Sequence, residues 1–131
     1  MAAWRATAGA TLLMPSGADG DHLYIVLNEP KQFPGYGSQP CVVFVNVSTA
    51  RQGVRHDETC LLSAGCHLFV KQDSYVVYRS ARIERVSHVQ RLVQQGVFKP
   101  HTPFEEGLLA VIKVGLRSSP FATREFKNLP I

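Results

Sequence analysis

The stretch CVVFVNV, residues 41–47, is the strongest strand signal in the chain. Most of its side chains are β-branched or aromatic, and these residue types favour strands. The apolar run is nearly unbroken, whereas a strand with one solvated face alternates apolar and polar residues. We therefore expect residues 41–47 to form a strand that is covered on both faces.

Two more strands are predicted on the N-terminal side of this stretch. ATLLMP, residues 10–15, is short and apolar, and HLYIVLN, residues 22–28, is rich in β-branched and aromatic residues. Between them, SGADGD at residues 16–21 is a turn-forming cluster. The segment NEPKQFPGYGSQP, residues 28–40, is rich in Pro and Gly. It predicts a long surface loop, and loops of this length in compact domains are often functional.

On the C-terminal side, RQGVRHDET at residues 51–59 predicts a charged loop and CHLFV at residues 66–70 a short strand. SYVVY at residues 74–78 and ARIERV at residues 81–86 predict one long strand, or two strands joined at a bulge. Five or six short strands separated by turns favour a small closed or half-closed barrel.

The last third of the chain changes to a helical period. Ser87 is a candidate N-cap, after which Val89, Leu92 and Val93 share one helix face. Gly96 predicts the end of this helix, because glycine adopts the left-handed conformation of a helix C-terminus at little cost.

A second helix is predicted from the sequence TPFE. Thr102 is its expected N-cap, Pro103 its first residue and Glu105 the other half of a capping box. The tail from Ser118 onward contains two prolines and scattered charge, so we expect it to be extended or frayed. The apolar stripe of this helix is predicted to comprise Phe104, Leu108, Val111, Ile112 and Gly115.

Length and composition favour one small globular domain over residues 1–131, with a barrel at 10–86, helices at 87–118 and a tail at 119–131. Apolar residues make up 45% of the chain and charged residues 18%, which is not a disordered composition. No apolar run approaches the roughly 18 residues that span a bilayer. The first residues lack the apolar core and cleavage site of a signal peptide, so we expect a cytoplasmic location.

Charge and cysteine content set weaker limits on function. The net charge of +4 and the pI of about 9.2 permit a phosphate-bearing partner without requiring one. The cysteines Cys41, Cys60 and Cys66 are odd in number, whereas small secreted domains usually carry even pairs. We expect them to be free thiols and mostly buried.

Four segments, in order, resemble the PemK/MazF-like toxin family. They are LYIVLN, then VVFVNVST, then a charged loop containing His56-Asp57, and last QDSYVVYRSARIERVS. The resemblance covers roughly residues 10–96 and is closest to an outlying, PemK-like branch. It implies an α+β, mainly β fold with an SH3-like barrel followed by two C-terminal helices. It also implies a homodimer that cleaves single-stranded RNA without a metal or other cofactor, and a small antitoxin protein as partner.

Such cleavage requires a base for the ribose 2′-OH, an acid for the leaving oxygen, and cations or donors for the charged phosphorane. The family's Thr or Ser at the end of the central strand matches Ser48, with Thr49 beside it. Alternatively, these two hydroxyls only end the strand and bond to their own backbone.

The chain departs from the family at the start of the second strand, where an Arg is expected. Asp21-His22 stands there instead, and a carboxylate does not stabilise a phosphorane. The replacement cations considered are Arg51, Arg55, His56 and Lys71. His56 has a suitable pKa range for acid–base catalysis, and His22 beside Asp21 is a second candidate base, although lone histidines are more often ordinary surface residues.

The tract at residues 71–75 supplies the candidate RNA-binding residues Lys71, Ser74 and Tyr75, and the long loop adds Tyr36 for stacking on a base. The alternative is an ordinary turn with a structural tyrosine. The arginines Arg79, Arg82, Arg85 and Arg91 are close in sequence, but their spacing argues against a single phosphate-binding stripe.

His56, Cys60, Cys66 and His67 have the ligand types of a tetrahedral zinc site. Their spacing follows no common zinc motif, and adjacent Cys66 and His67 would point to opposite faces of a strand, so no metal is assigned.

Three functions follow from these observations. The first is a toxin-like endoribonuclease. The second is a catalytically inactive SH3-like module that binds another protein, which the Asp21-His22 departure favours. The third is a hydrolase with Cys60 or Cys66 as nucleophile, which we rank last because no oxyanion-hole motif accompanies either cysteine.

Overall fold

The structure, a computed structural model, describes residues 4–15 and 20–131. Most of the predicted SGADGD turn, residues 16–19, lies outside the described residues. The described chain is an α+β protein, mainly strands, with one antiparallel six-stranded sheet and three helices. The strands are β1 (Thr11–Pro15), β2 (Asp21–Val26), β3 (Cys41–Thr49), β4 (Leu61–Leu62), β5 (Ser74–Arg85) and β6 (Lys99–His101).

The sheet, in the order β4-β5-β3-β2-β1-β6, is curled into a half-barrel. The curl brings the two edges together, because the loop after β4 touches the residue after β6. In that contact the His67 Nε2 lies 2.5 Å from the Thr102 carbonyl oxygen, and the His67 ring lies 5.0 Å from the His101 ring. Of the predicted alternatives, a closed or half-closed barrel of five or six strands, the structure has the half-closed form with six strands.

β3 is the central strand and is covered on both faces, as predicted. All residues from 41 to 47 are buried. Val43, Val45 and Val47 belong to one hydrophobic cluster, which also contains buried residues of α2 (Glu106–Ser118). Val42 and Phe44 face the other cluster, which contains Val89 of α1 (Val86–Gln94). One helix on each face explains the lack of polar alternation in the sequence.

β5 confirms the prediction of one long strand with a bulge. Its register against β3 shifts between the pairs Phe44–Arg82 and Asn46–Val77. The predicted strand at residues 66–70 is wrong, since this segment is a series of turns closed by a 2.7 Å bond from the Gly65 N–H to the Val70 carbonyl. Only His67 and Val70 in this segment are buried.

Both predicted helix starts are corrected. Ser87 lies inside α1, whose N-cap is Arg85. The cap of α2 is Glu105, whose carboxylate accepts a bond from the Gly107 N–H, and not Thr102. The Phe104 N–H instead bonds to the Gly9 carbonyl at 2.9 Å, which holds the segment before α2 in extended form. The predicted stop at Gly96 is confirmed by its φ of +77°.

The apolar stripe of α2 is partly corrected. Ile112 and Gly115 are buried as predicted, but Val111 is 55% exposed. Leu109 and Leu116 complete the buried face.

The tail is also corrected, since it is folded. It contains a third helix, α3 (Arg124–Lys127), capped by the Thr123 hydroxyl. Leu129 beyond α3 is buried in the core. None of the described helices is long and apolar enough to cross a membrane.

Candidate functional site

Three polar side chains form a row across one face of the sheet, at the end of β3. The register pairs Ser48 with Tyr75, and directly opposed residues on antiparallel strands share a face. β2 and β3 pair Tyr24 with Asn46, where their ladder ends. Because side chains alternate along a strand, His22 lies on the same face as Tyr24, and Ser48 on the same face as Asn46. His22, Ser48 and Tyr75 are all half-buried, so each keeps some access to solvent.

His56 lies over the end of this row. Its ring stacks on that of Tyr75, with 4.7 Å between ring centroids and 29° between ring planes. The His56 Nδ1 lies 3.3 Å from the Val54 carbonyl oxygen. Because a carbonyl only accepts, this bond requires a hydrogen on Nδ1, and the neutral ring then has its lone pair on Nε2. In that tautomer, Nε2 is the ring nitrogen that can accept a proton.

A cavity of about 1080 Å³ opens beside the His56–Tyr75 pair. The loop at residues 51–59, part of β5 and the segment after α2 form its walls. Three arginines contribute to the lining, together with the exposed ring of Phe121 and the carboxylates Asp57 and Glu58. The arginines are Arg51, Arg55 and Arg79. Guanidinium groups next to aromatic rings are the combination that binds the phosphates and bases of single-stranded nucleic acid.

Asp57 fastens the 51–59 loop to the C-terminal end of α2. Its Oδ2 accepts a 2.5 Å bond from the Ser119 hydroxyl, and its Oδ1 accepts bonds from the Thr59 N–H at 2.9 Å and the Thr59 hydroxyl at 2.5 Å. Burial raises the pKa of Asp57, but the bonds from Ser119 and Thr59 and the charge of His56 outweigh it, so the pKa lies below its ordinary value. Asp57 is thus a fixed carboxylate beside His56, and serves as an anchor rather than a proton donor.

Part of this site could not be predicted from the sequence. Asp57-Glu58-Thr59 has the pattern of an Asp that bonds to the backbone two residues on, which is a recognisable local signal. Ser119 is 62 residues from Asp57 in the sequence, and Phe121 lies in the tail that was predicted to be frayed. No local sequence pattern therefore indicated that either residue belongs to the site.

The predicted catalytic residues are partly brought together. Ser48 and His22 lie on the sheet face that carries Tyr75, and His56 stacks on Tyr75. Of the predicted catalytic residues, His56 and Arg51 line the cavity, whereas Ser48 and His22 do not. Thr49 does not join them, because it is opposite Ser74 and its side chain points to the other face of the sheet.

Of the four predicted RNA-binding residues, only Tyr75 lines the cavity. The Ser74 side chain is buried and donates a 2.8 Å bond to the Gln72 carbonyl, so it supports a turn. Lys71 is exposed, and its charge acts on His101 near β6. Tyr36 lines a separate cavity beside α1 and donates a hydrogen bond to Glu125.

The clustered arginines are spread over separate surfaces, in agreement with the argument from their spacing. Arg79 lines the large cavity, whereas Arg82 is paired with Glu84 at 2.6 Å. Arg85 and Arg91 line the cavity beside α1.

The residues considered for zinc do not assemble into a metal site. Within residues 4–15 and 20–131, no three His, Cys, Asp or Glu side chains lie in an arrangement that could hold a metal ion. Cys60 is buried and Cys66 is exposed, which corrects the expectation of burial for the latter. Burial raises the pKa of both thiols, and a thiol with a raised pKa is a poor nucleophile. This argues against a cysteine hydrolase.

Comparison of the chain with protein-family models, curated proteins and solved structures found no match.

Proposed function

We propose that this chain cleaves single-stranded RNA without a metal ion, in the cavity beside His56 and Tyr75. The observation that carries the proposal is the imidazole of His56, stacked on Tyr75 at the wall of a cavity that three arginines also line. The resemblance of the sequence to PemK/MazF-like toxins is the second support for this proposal. The proposal also includes an SH3-like barrel, a homodimer, an antitoxin partner and a cytoplasmic location.

In the proposed reaction, His56 Nε2 takes the proton of the ribose 2′-OH. The 2′ oxygen then forms a bond to the adjacent phosphorus, while the bond from phosphorus to the 5′ oxygen breaks. We assign the donation of a proton to that leaving oxygen to His22, and a hydrogen bond to a non-bridging phosphate oxygen to the Ser48 hydroxyl. Both residues lie on the sheet face next to Tyr75 and outside the cavity lining, so the scissile phosphate is placed at the edge of the cavity nearest Tyr75. The products are a 2′,3′-cyclic phosphate and a 5′-hydroxyl.

The arginines of the cavity supply the positive charge that the family obtains from the residue replaced here by Asp21-His22. Arg79 projects from β5 and Arg51 from the loop after β3, so they approach the cavity from two sides. A phosphorane between them is stabilised by charge-assisted hydrogen bonds.

A nucleobase is expected to stack on Phe121 rather than on Tyr75. One face of Tyr75 is occupied by His56, whereas Phe121 is 54% exposed at the cavity wall. Stacking on a free aromatic ring contributes about 1–3 kcal/mol per base and tolerates any base identity.

A second candidate is a module that binds RNA or a protein without cleaving. The Asp21-His22 departure and the two carboxylates in the cavity wall favour it, because each reduces the positive potential that a phosphorane needs.

The two candidates are separated by the chemistry of the product. Purified protein is incubated in EDTA with a mixed-sequence single-stranded RNA, beside the same sequence with 2′-deoxyribose. We expect cleavage of the RNA alone, with 2′,3′-cyclic phosphate ends. Binding of both strands with cleavage of neither would contradict the enzyme and support the binding module.

A further inference from the structure

Two histidines lie at the seam where the edges of the curled sheet meet. His67, in the loop after β4, is 6% exposed, and its ring stacks on Phe104 with 4.8 Å between centroids and 15° between planes. His101 ends β6, and its ring lies 5.0 Å from that of His67. We call His67, His101 and the intervening Thr102 backbone the seam pair. It lies outside the proposed RNA cavity.

The bonds of His67 fix it in one neutral tautomer. Its Nδ1 accepts a 3.0 Å bond from the Phe69 N–H, so that nitrogen carries no hydrogen. Its Nε2 lies 2.5 Å from the Thr102 carbonyl oxygen and must therefore donate. The Thr102 carbonyl also accepts a 2.8 Å bond from the Thr11 hydroxyl of β1, which ties three segments to one oxygen.

His101 is held in the same tautomer. Its Nδ1 accepts a 2.8 Å bond from the Thr102 N–H, so a second hydrogen on this ring would point at a backbone donor. The groups around it also oppose a proton. Burial, repulsion from His67 whenever that ring carries a proton, and the charge of Lys71 all lower the pKa of His101. Arg5 lines the same small cavity. The neighbours from β1 and from the segment before α2, Thr11 and Phe104, are uncharged.

We propose that the seam pair is an acid-sensitive clasp, which holds the two edges of the half-barrel together when both histidines are neutral and releases them when either is protonated. A proton on either Nδ1 removes the lone pair that accepts the backbone N–H. Two donors then face each other, and the hydrogen bond is lost. The released ring then leaves the carbonyl or amide of Thr102. Since Thr102 precedes the segment that carries Phe104 into the core, opening begins at the seam and spreads towards α2.

Amide hydrogen exchange of the wild-type protein tests this directly. The probes are the Phe69 and Thr102 amides, which donate to the two histidines, and the reference is the Leu27 amide, which bonds to Val43 at 2.9 Å in the core. Between about pH 7.5 and pH 5, we expect the protection factors of both probe amides to fall. Leu27 is expected to stay protected.

Two glutamine variants serve as a second measurement. His67→Gln can still donate to Thr102 but cannot be protonated, so the pH dependence of Phe104 amide protection should shrink. His88→Gln removes a histidine of α1 away from the seam and should leave it unchanged. The proposal is overturned if Phe69 and Thr102 keep their protection at pH 5, or if Leu27 loses protection in step with them.

Discussion

Asp57 shows how one buried carboxylate positions the loop that carries His56. It joins that loop to Ser119 and Thr59 through three hydrogen bonds. The local half of this arrangement is readable in the sequence, because Asp and Thr are two residues apart. The other half depends on the tail folding back, which no local pattern indicates.

Replacement of Asp57 tests this anchor. At pH 7, Asp57→Asn is expected to lower the free energy of unfolding by about 1–3 kcal/mol, the cost of weakening buried bonds to a charged group. The lowered pKa of Asp57 means that its contribution is complete above the ordinary carboxyl value of about 3.9 and is lost as pH falls through the lower, folded-state value. In urea denaturation, the difference between wild type and variant should therefore shrink below about pH 4.

Glu58→Gln, one residue along and exposed, is the matched control for this experiment. It should change stability by less than about 0.5 kcal/mol. An equal loss in the two variants, or a loss in Asp57→Asn that is independent of pH, would contradict the anchor.

Gly115 is the other residue whose role is clear only in the folded protein. A Cβ at this position would overlap the Tyr78 Oη and lie 2.6 Å from its Cζ. Tyr78 is buried and donates a 2.7 Å bond to the Ile112 carbonyl, so its ring has little room to move. We expect Gly115→Ala to lower the free energy of unfolding by about 1–3 kcal/mol through overpacking.

Gly107→Ala in the same helix is the comparison for Gly115. Its Cβ would meet only the flexible Glu105 side chain, at 3.0 Å. Because alanine is the better helix former by about 1 kcal/mol, this variant should be neutral or slightly more stable in urea denaturation. If Gly115→Ala also leaves the free energy of unfolding unchanged, the close packing of α2 on Tyr78 is contradicted.

At the scale of elements, the sequence predicts the strands that have a strong local pattern of apolar residues. β3 and β5 have apolar runs long enough to identify them, and both are confirmed. Where a tertiary contact competes, the prediction fails. The Phe104 bond to Gly9 moves the start of α2, and the burial of His67 at the seam turns residues 66–70 into turns.

The buried face of α2 provides a test at this scale. Ile112 is fully buried and Val111 is 55% exposed, although the sequence places both on one stripe. Ile112→Ala should cost about 2–5 kcal/mol because it leaves a cavity, whereas Val111→Ala should change the free energy of unfolding by no more than about 0.5 kcal/mol. The free energies of unfolding are measured by urea denaturation. Similar losses in both variants would contradict a rotation of α2 that buries Ile112 and exposes Val111.

At the scale of the whole molecule, the mainly β class and the curled form of the sheet could be predicted from the sequence, whereas the side-chain contacts at which the sheet edges meet could not. The row of His22, Ser48 and Tyr75 is assembled from three strands, and His56 is added by a loop. The resemblance pointed to Ser48 and the chemistry of imidazole to the histidines. Only the folded chain brings His56 and Tyr75 together with Arg79 and Phe121 in one cavity.

The charge of the cavity predicts how RNA binding depends on salt. For single strands, the logarithm of affinity falls with the logarithm of salt concentration with a slope of about −0.7 for each phosphate contact. Arg79→Gln should therefore weaken binding of a 2′-O-methylated oligonucleotide, which cannot be cleaved, and reduce the slope by about 0.7. Arg91→Gln, at the other cavity, is the control and should leave the slope unchanged. Equal effects of the two would contradict a phosphate site at the large cavity.

The proposed cleavage of RNA at the His56–Tyr75 cavity is tested by a cleavage time course in EDTA. Wild type is compared with His56→Ala, Ser48→Ala and the control His88→Ala, after circular dichroism has shown that all four are folded. We predict that His56→Ala loses about 10²–10⁴-fold in rate, as expected for a general base. Ser48→Ala should also be slower, and His88→Ala should match wild type. Equal cleavage by all four proteins, or none by wild type at high concentration, would contradict the account.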